Sequence, residues 1–113
     1  MHEMALASGM LDIVESAARA HGATRVTGVR LEIGALSHVA AQALTFCFDA
    51  VTRGTLAEGA TLTIDETPGR AWCMPCGAPV DIARRGDACP ACGSYQLTVT
   101  DGADMRVRDI AIA

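Results

Sequence analysis

The chain has 113 residues, half of them hydrophobic, and 19% of its residues are charged. This length allows one compact domain with a hydrophobic core and, in addition, one small metal-stabilised module. The formal net charge is −4, and the nine basic residues, all arginines, are scattered along the chain. Because nucleic-acid-binding proteins usually carry a basic stripe, this composition argues against a nucleic-acid partner.

No targeting or membrane-spanning segment is visible in the sequence. The amino terminus lacks the basic region that begins a signal sequence, and charged residues interrupt its apolar ones. The apolar run over residues 40–51 is shorter than the roughly 20 residues that a helix needs to cross a bilayer. We therefore expect a cytoplasmic protein with no membrane partner.

Hydrophobic periodicity predicts an α-helix over Met4–Ala20, where apolar side chains recur at steps of three and four residues. Glu3 stands at its start, where a negative charge suits the helix dipole. The pair His21–Gly22 is predicted to end the helix, because glycine favours the left-handed conformation of a helix terminus. The next segment, Val26–Ile33, alternates between apolar and polar residues and is predicted to be a half-buried strand.

A second helix is predicted over Ala40–Arg53, after a turn in which Ser37 is a candidate helix cap. Because this helix is apolar nearly all round, we expect it to be heavily buried. Cys47 lies within it, away from the other cysteines, and is expected to be a small core residue. Two more strands are predicted, over residues 61–66 and 105–112.

These elements predict an α+β fold of two layers, with two helices on a three-stranded mixed sheet. Since a helix connects the first two strands, they are expected to be parallel, with a right-handed crossover. A cysteine module over residues 69–98 is expected as an insertion before the last strand. The predicted division is therefore one domain of residues 1–68 plus 99–113, and a metal-binding domain of residues 69–98.

Four of the five cysteines form two Cys-x-x-Cys pairs that are separated by twelve residues, and a glycine follows each pair. Two thiolates at this spacing can grip one ion from a tight turn, and the glycine permits a positive φ that lets backbone N–H groups point at sulfur. Four thiolates fill a tetrahedral shell, so no position remains for substrate. The spacing therefore predicts a structural metal site with these ligands: Cys73, Cys76, Cys89 and Cys92.

Zinc is favoured as the ion in this site. A single iron ion also suits four sulfurs, but such sites normally have aromatic packing, and only Trp72 and Tyr95 are near in sequence. Two reducible disulfides or a redox dithiol are alternatives, although both would require the cysteine pairs to act separately.

The amino terminus reads Met1-His2-Glu3. A histidine at the second position places its imidazole close to the terminal amine and the intervening amide nitrogen, and Ni(II) and Cu(II) favour such square-planar nitrogen donors. The helix that follows would anchor this tripeptide while leaving it exposed. His21 is interpreted as part of the helix end, and His38, in a loop, as a surface residue rather than a ligand.

Taken together, these motifs resemble the HypA family of hydrogenase maturation factors, also called HybF. The resemblance rests on the Met-His-Glu start, the segment VRLEIGAL, the helix containing TFCFDAVTRGT, the two spaced knuckles and the short last strand. It covers essentially the whole chain. One departure is Gly34-Ala35-Leu36, where members of the family usually have Gly-Glu-Leu.

The resemblance implies a nickel metallochaperone rather than an enzyme. His2 would be the principal nickel ligand, with Met1 (amine) and Glu3 (backbone or carboxylate) in support, in a nickel-binding domain of residues 1–68 plus 99–113. Zinc in the knuckles would be structural, and nickel would be a transient cargo. The family passes nickel to the [NiFe]-hydrogenase large subunit precursor in cooperation with the GTPase HypB, and in some organisms to urease with its accessory proteins.

Two other functions are compatible with the residues. One is a zinc-ribbon adaptor that binds a partner protein without nickel transfer, and the other is an electron carrier with iron in the knuckles. No nucleophile–base pair, phosphate-binding loop or open catalytic metal site is visible, so an enzyme is not expected. The sequence leaves open whether the protein forms a homodimer.

Overall fold

A computed structural model describes residues 2–113 and contains two helices and six strands. The helices are α1 (Glu3–Ala20) and α2 (Ala41–Thr52). The strands are β1 (Val26–Gly34), β2 (Thr61–Thr67), β3 (Gly69–Cys73), β4 (Ala78–Ile82), β5 (Leu97–Asp101) and β6 (Met105–Ile112). They form two three-stranded sheets, ordered β2-β1-β6 and β4-β3-β5. None of the helices among these residues is long and apolar enough to cross a membrane.

The chain divides into two compact units. The first unit comprises residues 2–31, Val39–Asp65 and Arg106–Ala113, and it contains both helices. The second takes Glu32–His38 and Glu66–Met105 and contains the paired cysteines.

Strand β1 is the central strand of the first sheet and has one antiparallel and one parallel neighbour. The N–H of Gly34, at the end of β1, donates to the carbonyl of Asp104, just before β6 begins, at 2.8 Å. The N–H of Ala35 donates to the carbonyl of Thr67, at the end of β2, at 2.9 Å. The end of β1 therefore meets the start of β6 and the end of β2, which confirms the predicted mixed sheet and its parallel first pair.

Helix α1 buries one face and ends where the sequence predicts. Gly22 takes a φ of +67°, and its N–H donates to the carbonyl of Arg19 at 3.0 Å. The N–H of Ala23 reaches the carbonyl of Ala18 at 2.9 Å, which satisfies carbonyls that the last turn leaves unpaired. The buried apolar face of the helix comprises Ala7, Met10, Leu11, Val14 and Ala18.

The expectation that α2 is heavily buried is wrong. Its buried residues are only Leu44, Cys47, Phe48 and Thr52, whereas Phe46 is 73% exposed. A helix in a two-layer fold presents one face to the core, so an apolar residue on the other face stays in solvent. Cys47 lies on the buried face, as predicted.

The expectation that Ser37 caps α2 is also wrong. The Ser37 hydroxyl donates to the carbonyl of Gly34 at 2.7 Å, within the turn that follows β1. The residue at the N-cap of α2 is Ala40, whose methyl side chain cannot accept a hydrogen bond. The N–H groups at the start of α2 therefore need a partner from elsewhere in the chain.

The second sheet was not predicted. Strand β3 pairs antiparallel with both β4 and β5, and its residues alternate between buried and exposed. Leu36, which precedes the sheet by more than thirty residues, packs with Ala71 and Ile82 in the core of this unit. The cysteine module therefore has a small hydrophobic core in addition to its metal-binding turns.

Candidate metal centre and amino-terminal site

The four paired cysteines come together at one point, as their spacing predicts. Their Sγ atoms all lie within 4.8 Å of one another. The distance from Cys73 to Cys92 is 3.6 Å, and that from Cys76 to Cys89 is 3.9 Å. A regular tetrahedron with metal–sulfur bonds of about 2.3 Å has edges of about 3.8 Å. The four sulfurs are therefore spaced to surround one tetrahedral ion.

The backbone of each knuckle is shaped by the glycine after its second cysteine. Gly77 has a φ of +61°, and its N–H donates to the carbonyl of Cys73 at 2.8 Å. Gly93 has a φ of +78°, and its N–H donates to the carbonyl of Cys89 at the same distance of 2.8 Å. Since a side chain is strained at such angles, glycine at these positions allows both turns to close around the sulfurs.

The sulfurs differ in their surroundings. Donation from the backbone N–H groups of Cys92 and Ala91 lowers the pKa of the Cys89 thiol to about 6. Hydrogen bonds to the neighbouring thiols of Cys92 and Cys73 raise the pKa of Cys76 to about 12. One thiolate thus forms readily, whereas the negative charge of four together needs a cation to balance it.

The donor set fits zinc as a resident ion. Four thiolates complete a tetrahedral shell, and the shell leaves no position for a substrate or water. Trp72 and Tyr95, the aromatic residues nearest in sequence, are 41% and 75% exposed, so neither is enclosed with the sulfurs. Cys73 and Cys89 are buried, whereas Cys76 and Cys92 are exposed, which places the cluster at the surface of its unit.

His2 lies at the N-cap of α1 with its side chain 55% exposed. Its carbonyl accepts a hydrogen bond from the N–H of Leu6 at 2.9 Å, which attaches the residue to the first helical turn. The imidazole is thus open to solvent while its backbone is held by a regular element. Met1, predicted to contribute its amine, lies outside the described residues.

Glu3 is buried, contrary to the expectation that the whole terminal tripeptide is exposed. Only 9% of the residue is accessible. Its Oε2 atom accepts a hydrogen bond from the N–H of Ala40 at 3.4 Å and lies 3.7 Å from the Nδ1 atom of His2. Donation from Ala40, joined by the backbone N–H of Glu3 itself, holds the pKa of this carboxyl below its usual value.

None of the three histidines joins a group of three or more potential ligands in the part of the chain that the structure describes. There, the only group of three or more potential ligands that converge is the set of four cysteines. His38 is exposed, with a φ of +59°, in the segment before α2. His21 is exposed at the C-cap of α1, where the sequence places it.

Comparison with known proteins identifies the family. The family model described as "Hydrogenase/urease nickel incorporation, metallochaperone, hypA" matches residues 1–112. The chain belongs to the HypA family. It is 56% identical over 112 residues to hydrogenase maturation factor HypA 2 of Bradyrhizobium diazoefficiens, with 99% of both chains covered. It is 53% identical over 112 residues to hydrogenase maturation factor HypA of Azotobacter vinelandii, again with 99% of both covered.

Solved structures of HypA proteins share the fold. The solution structure of the Ni metallochaperone HypA from Helicobacter pylori superposes with a TM-score of 0.74 at 23% identity. The superposition covers 99% of this chain and 97% of the other. As a member of the HypA family, the chain belongs to a group of nickel-incorporation proteins and not to a family of catalytic enzymes.

Proposed function

We propose that this protein binds one Ni(II) ion at its amino terminus and delivers it to the precursor of the [NiFe]-hydrogenase large subunit. The observation that carries the proposal is the placement of His2, whose exposed imidazole lies at the N-cap of α1. The description of the family, nickel incorporation into hydrogenase and urease, supports the choice of metal. A carrier must hold its cargo and also release it, and an exposed ligand allows both.

In this proposal His2 is the principal nickel ligand. Met1 contributes its amine, and Glu3 supports the site through its backbone or its carboxylate. Nitrogen donors at this spacing suit the square-planar preference of Ni(II).

The four cysteines are proposed to hold a structural zinc ion, and residues 69–98 form the zinc-binding domain. The nickel-binding domain is then residues 1–68 plus 99–113. A closed four-thiolate shell supports a structural role, because zinc there can stabilise the fold but has no position for a substrate. We propose the GTPase HypB as a working partner and urease accessory proteins as partners where urease is also served.

The test is isothermal titration of Ni(II) into zinc-loaded protein with a native, untagged amino terminus. We expect one nickel ion per chain in the unchanged protein and none in the His2→Ala variant. His38→Ala is the matched control, because it removes another exposed histidine that lies outside the proposed ligand set. Nickel binding that survives His2→Ala would contradict the proposal.

A second candidate is a zinc-stabilised adaptor that binds a partner protein without transferring nickel. It is favoured by three large exposed residues on or near the knuckles, namely Trp72 at 41%, Met74 at 62% and Tyr95 at 75% accessibility. Exposed aromatic and methionine side chains are common at protein interfaces. Failure of both the unchanged protein and the His2→Ala variant to bind nickel would favour this adaptor.

A further inference from the structure

We infer that the Glu3 carboxylate positions the nickel-binding terminus by tying it to the start of α2, and that it is not itself a nickel ligand. The inference rests on the proposed function, because it concerns how the residues of that site are held. Its starting point is the contact between Glu3 Oε2 and the N–H of Ala40, at 3.4 Å.

The start of α2 receives a hydrogen-bond acceptor from Glu3. The first turn of α2 contains no acidic residue, and its N-cap, Ala40, makes no side-chain hydrogen bond. A helix N-terminus leaves N–H groups unpaired and favours a nearby negative charge. Glu3 supplies both an acceptor and a charge, across a sequence distance of 37 residues.

The enclosure of Glu3 argues against direct coordination by its carboxylate. The side chain of His2 is 55% exposed, whereas that of Glu3 is 11% exposed. To bind a nickel ion at the surface, the carboxylate would have to leave α2, and the Ala40 N–H would lose its acceptor. Breaking this hydrogen bond would remove the stabilisation that it gives to the start of α2. The observed arrangement instead keeps the carboxylate on α2 and leaves the imidazole exposed, with its Nδ1 atom 3.7 Å from the carboxylate.

This contact should matter for nickel affinity. Glu3 is the immediate neighbour of His2, so fixing its side chain on α2 restricts the backbone next to the imidazole. A site that is already ordered loses less conformational freedom when the ion binds. The apparent affinity falls in proportion when only a fraction of molecules holds the competent arrangement. Glu3 is therefore a positioning residue for the nickel site.

Three substitutions separate anchoring from coordination. Glu3→Ala removes the acceptor, and Glu3→Gln keeps a neutral oxygen that can accept a weaker hydrogen bond. Ala40→Pro removes the donor and leaves Glu3 unchanged, and the φ of −81° at Ala40 is close to that of proline. Ala41→Pro is the matched control, because proline is favoured at the first position of a helix.

The first measurement uses zinc-loaded, nickel-free protein. Amide hydrogen exchange at Ala40 should be faster in Glu3→Ala than in the unchanged protein, with Glu3→Gln in between. Nuclear spin relaxation should show faster motion of the Glu3 backbone in Ala40→Pro. Glu15→Ala is the control for loss of a carboxylate from α1, since its pairing with Arg19 lies within that helix. It should leave Ala40 unchanged.

Nickel titration of the same proteins completes the test. We expect binding about tenfold weaker in Glu3→Ala and in Ala40→Pro, a smaller loss in Glu3→Gln, and unchanged binding in Ala41→Pro and Glu15→Ala. X-ray absorption at the nickel edge should show the same set of donor atoms in Glu3→Gln as in the unchanged protein.

Two results would overturn the inference alone. One is a Glu3→Gln variant that binds as weakly as Glu3→Ala and lacks an oxygen donor, while Ala40→Pro binds normally. The other is a Glu3→Ala variant with rapid exchange at Ala40 and unchanged nickel affinity. Failure of the proposed function has a different signature, nickel binding that survives His2→Ala, and it would overturn the inference with it.

Discussion

The Oε2 atom of Glu3 lies 3.4 Å from the backbone nitrogen of Ala40, so a carboxylate at the start of α1 also serves the start of α2. Because this hydrogen bond favours the ionised form, the pKa of Glu3 is lowered in the folded protein. A group with a lowered pKa stabilises the fold above its unfolded-state pKa, and this stabilisation is lost as the pH falls through the folded-state value.

We therefore expect the difference in melting temperature between the unchanged protein and Glu3→Gln to be largest near neutral pH. The difference should shrink as the pH falls through the lowered pKa of the folded-state carboxyl, where Glu3 takes up a proton. Thermal unfolding of nickel-free protein, followed by circular dichroism at several pH values, measures it. A difference that stays constant across this range would show that the charge of Glu3 does not contribute to stability.

Substitution of a knuckle cysteine should separate the stability of the two units. Cys89→Ser is expected to lose zinc and, with it, the amide protection of β3, β4 and β5, because metal binding supplies much of the folding free energy of small zinc modules. Zinc content by atomic spectroscopy and hydrogen exchange measure the two effects. Cys47→Ala, a change at a buried cysteine outside the cluster, should keep one zinc ion per chain. Retention of zinc by Cys89→Ser would contradict the assignment.

Zinc affinity should decrease as the pH is lowered, and the decrease should be steeper below neutrality than near it. The pKa of Cys76 is raised to about 12, so zinc must displace its proton throughout the neutral range. The pKa of Cys89 is lowered to about 6, so protons compete with zinc for this sulfur mainly below that pH. Calorimetric titrations in buffers of different ionisation enthalpy should show more protons released at about pH 5.5 than at about pH 7.5. Equal release at both values would contradict this reasoning.

Two phenylalanines of α2 provide a matched comparison. Phe48 is 2% exposed and Phe46 is 73% exposed. Phe48→Ala should lower the free energy of unfolding by about 3–5 kcal/mol, because it leaves a cavity in the core. Phe46→Ala should change it by less than about 0.5 kcal/mol. Urea denaturation of both variants tests the prediction, and a large loss in Phe46→Ala would mean that this side chain is covered in solution.

A second matched pair concerns glycines. A Cβ atom at Gly69 would lie 2.5 Å from the carbonyl oxygen of Ile82, whereas one at Gly9 would meet nothing within 4 Å. Gly69→Ala should destabilise the protein by more than about 2 kcal/mol, because the clash is with backbone. Gly9→Ala, inside α1, should stabilise it by about 0.5–1 kcal/mol. Thermal unfolding distinguishes the two, and a stable Gly69→Ala variant would require a different packing of β3 against β4.

The elements that could be predicted from the sequence are those in which residue types recur at a clear spacing. Helix α1, strand β1 and the convergence of the cysteines all follow from spacing. Strands β3, β4 and β5 were missed because each has only five residues, and the cysteine motifs dominate the same stretch. Alternation in segments this short is a weak signal.

The features that were predicted wrongly depend on how elements pack against each other, which local spacing does not reveal. The exposure of Phe46 depends on which face of α2 meets the core, and an all-apolar helix does not reveal that face. The contact between Glu3 and Ala40 involves a backbone N–H, which every residue except proline possesses. No residue type at position 40 could have indicated it. The burial of Glu3 could be found only once both helices were placed.

The position of Leu36 also bears on how the protein can be dissected. This leucine lies in the segment between β1 and α2, yet its side chain packs in the core beside Ala71 and Ile82. A synthetic peptide of residues 69–98 would carry all four paired cysteines but would lack this leucine. Such a peptide would chelate zinc and still leave an apolar surface open where Leu36 belongs. Transplanting the module into another scaffold would therefore require a second, non-contiguous piece of chain.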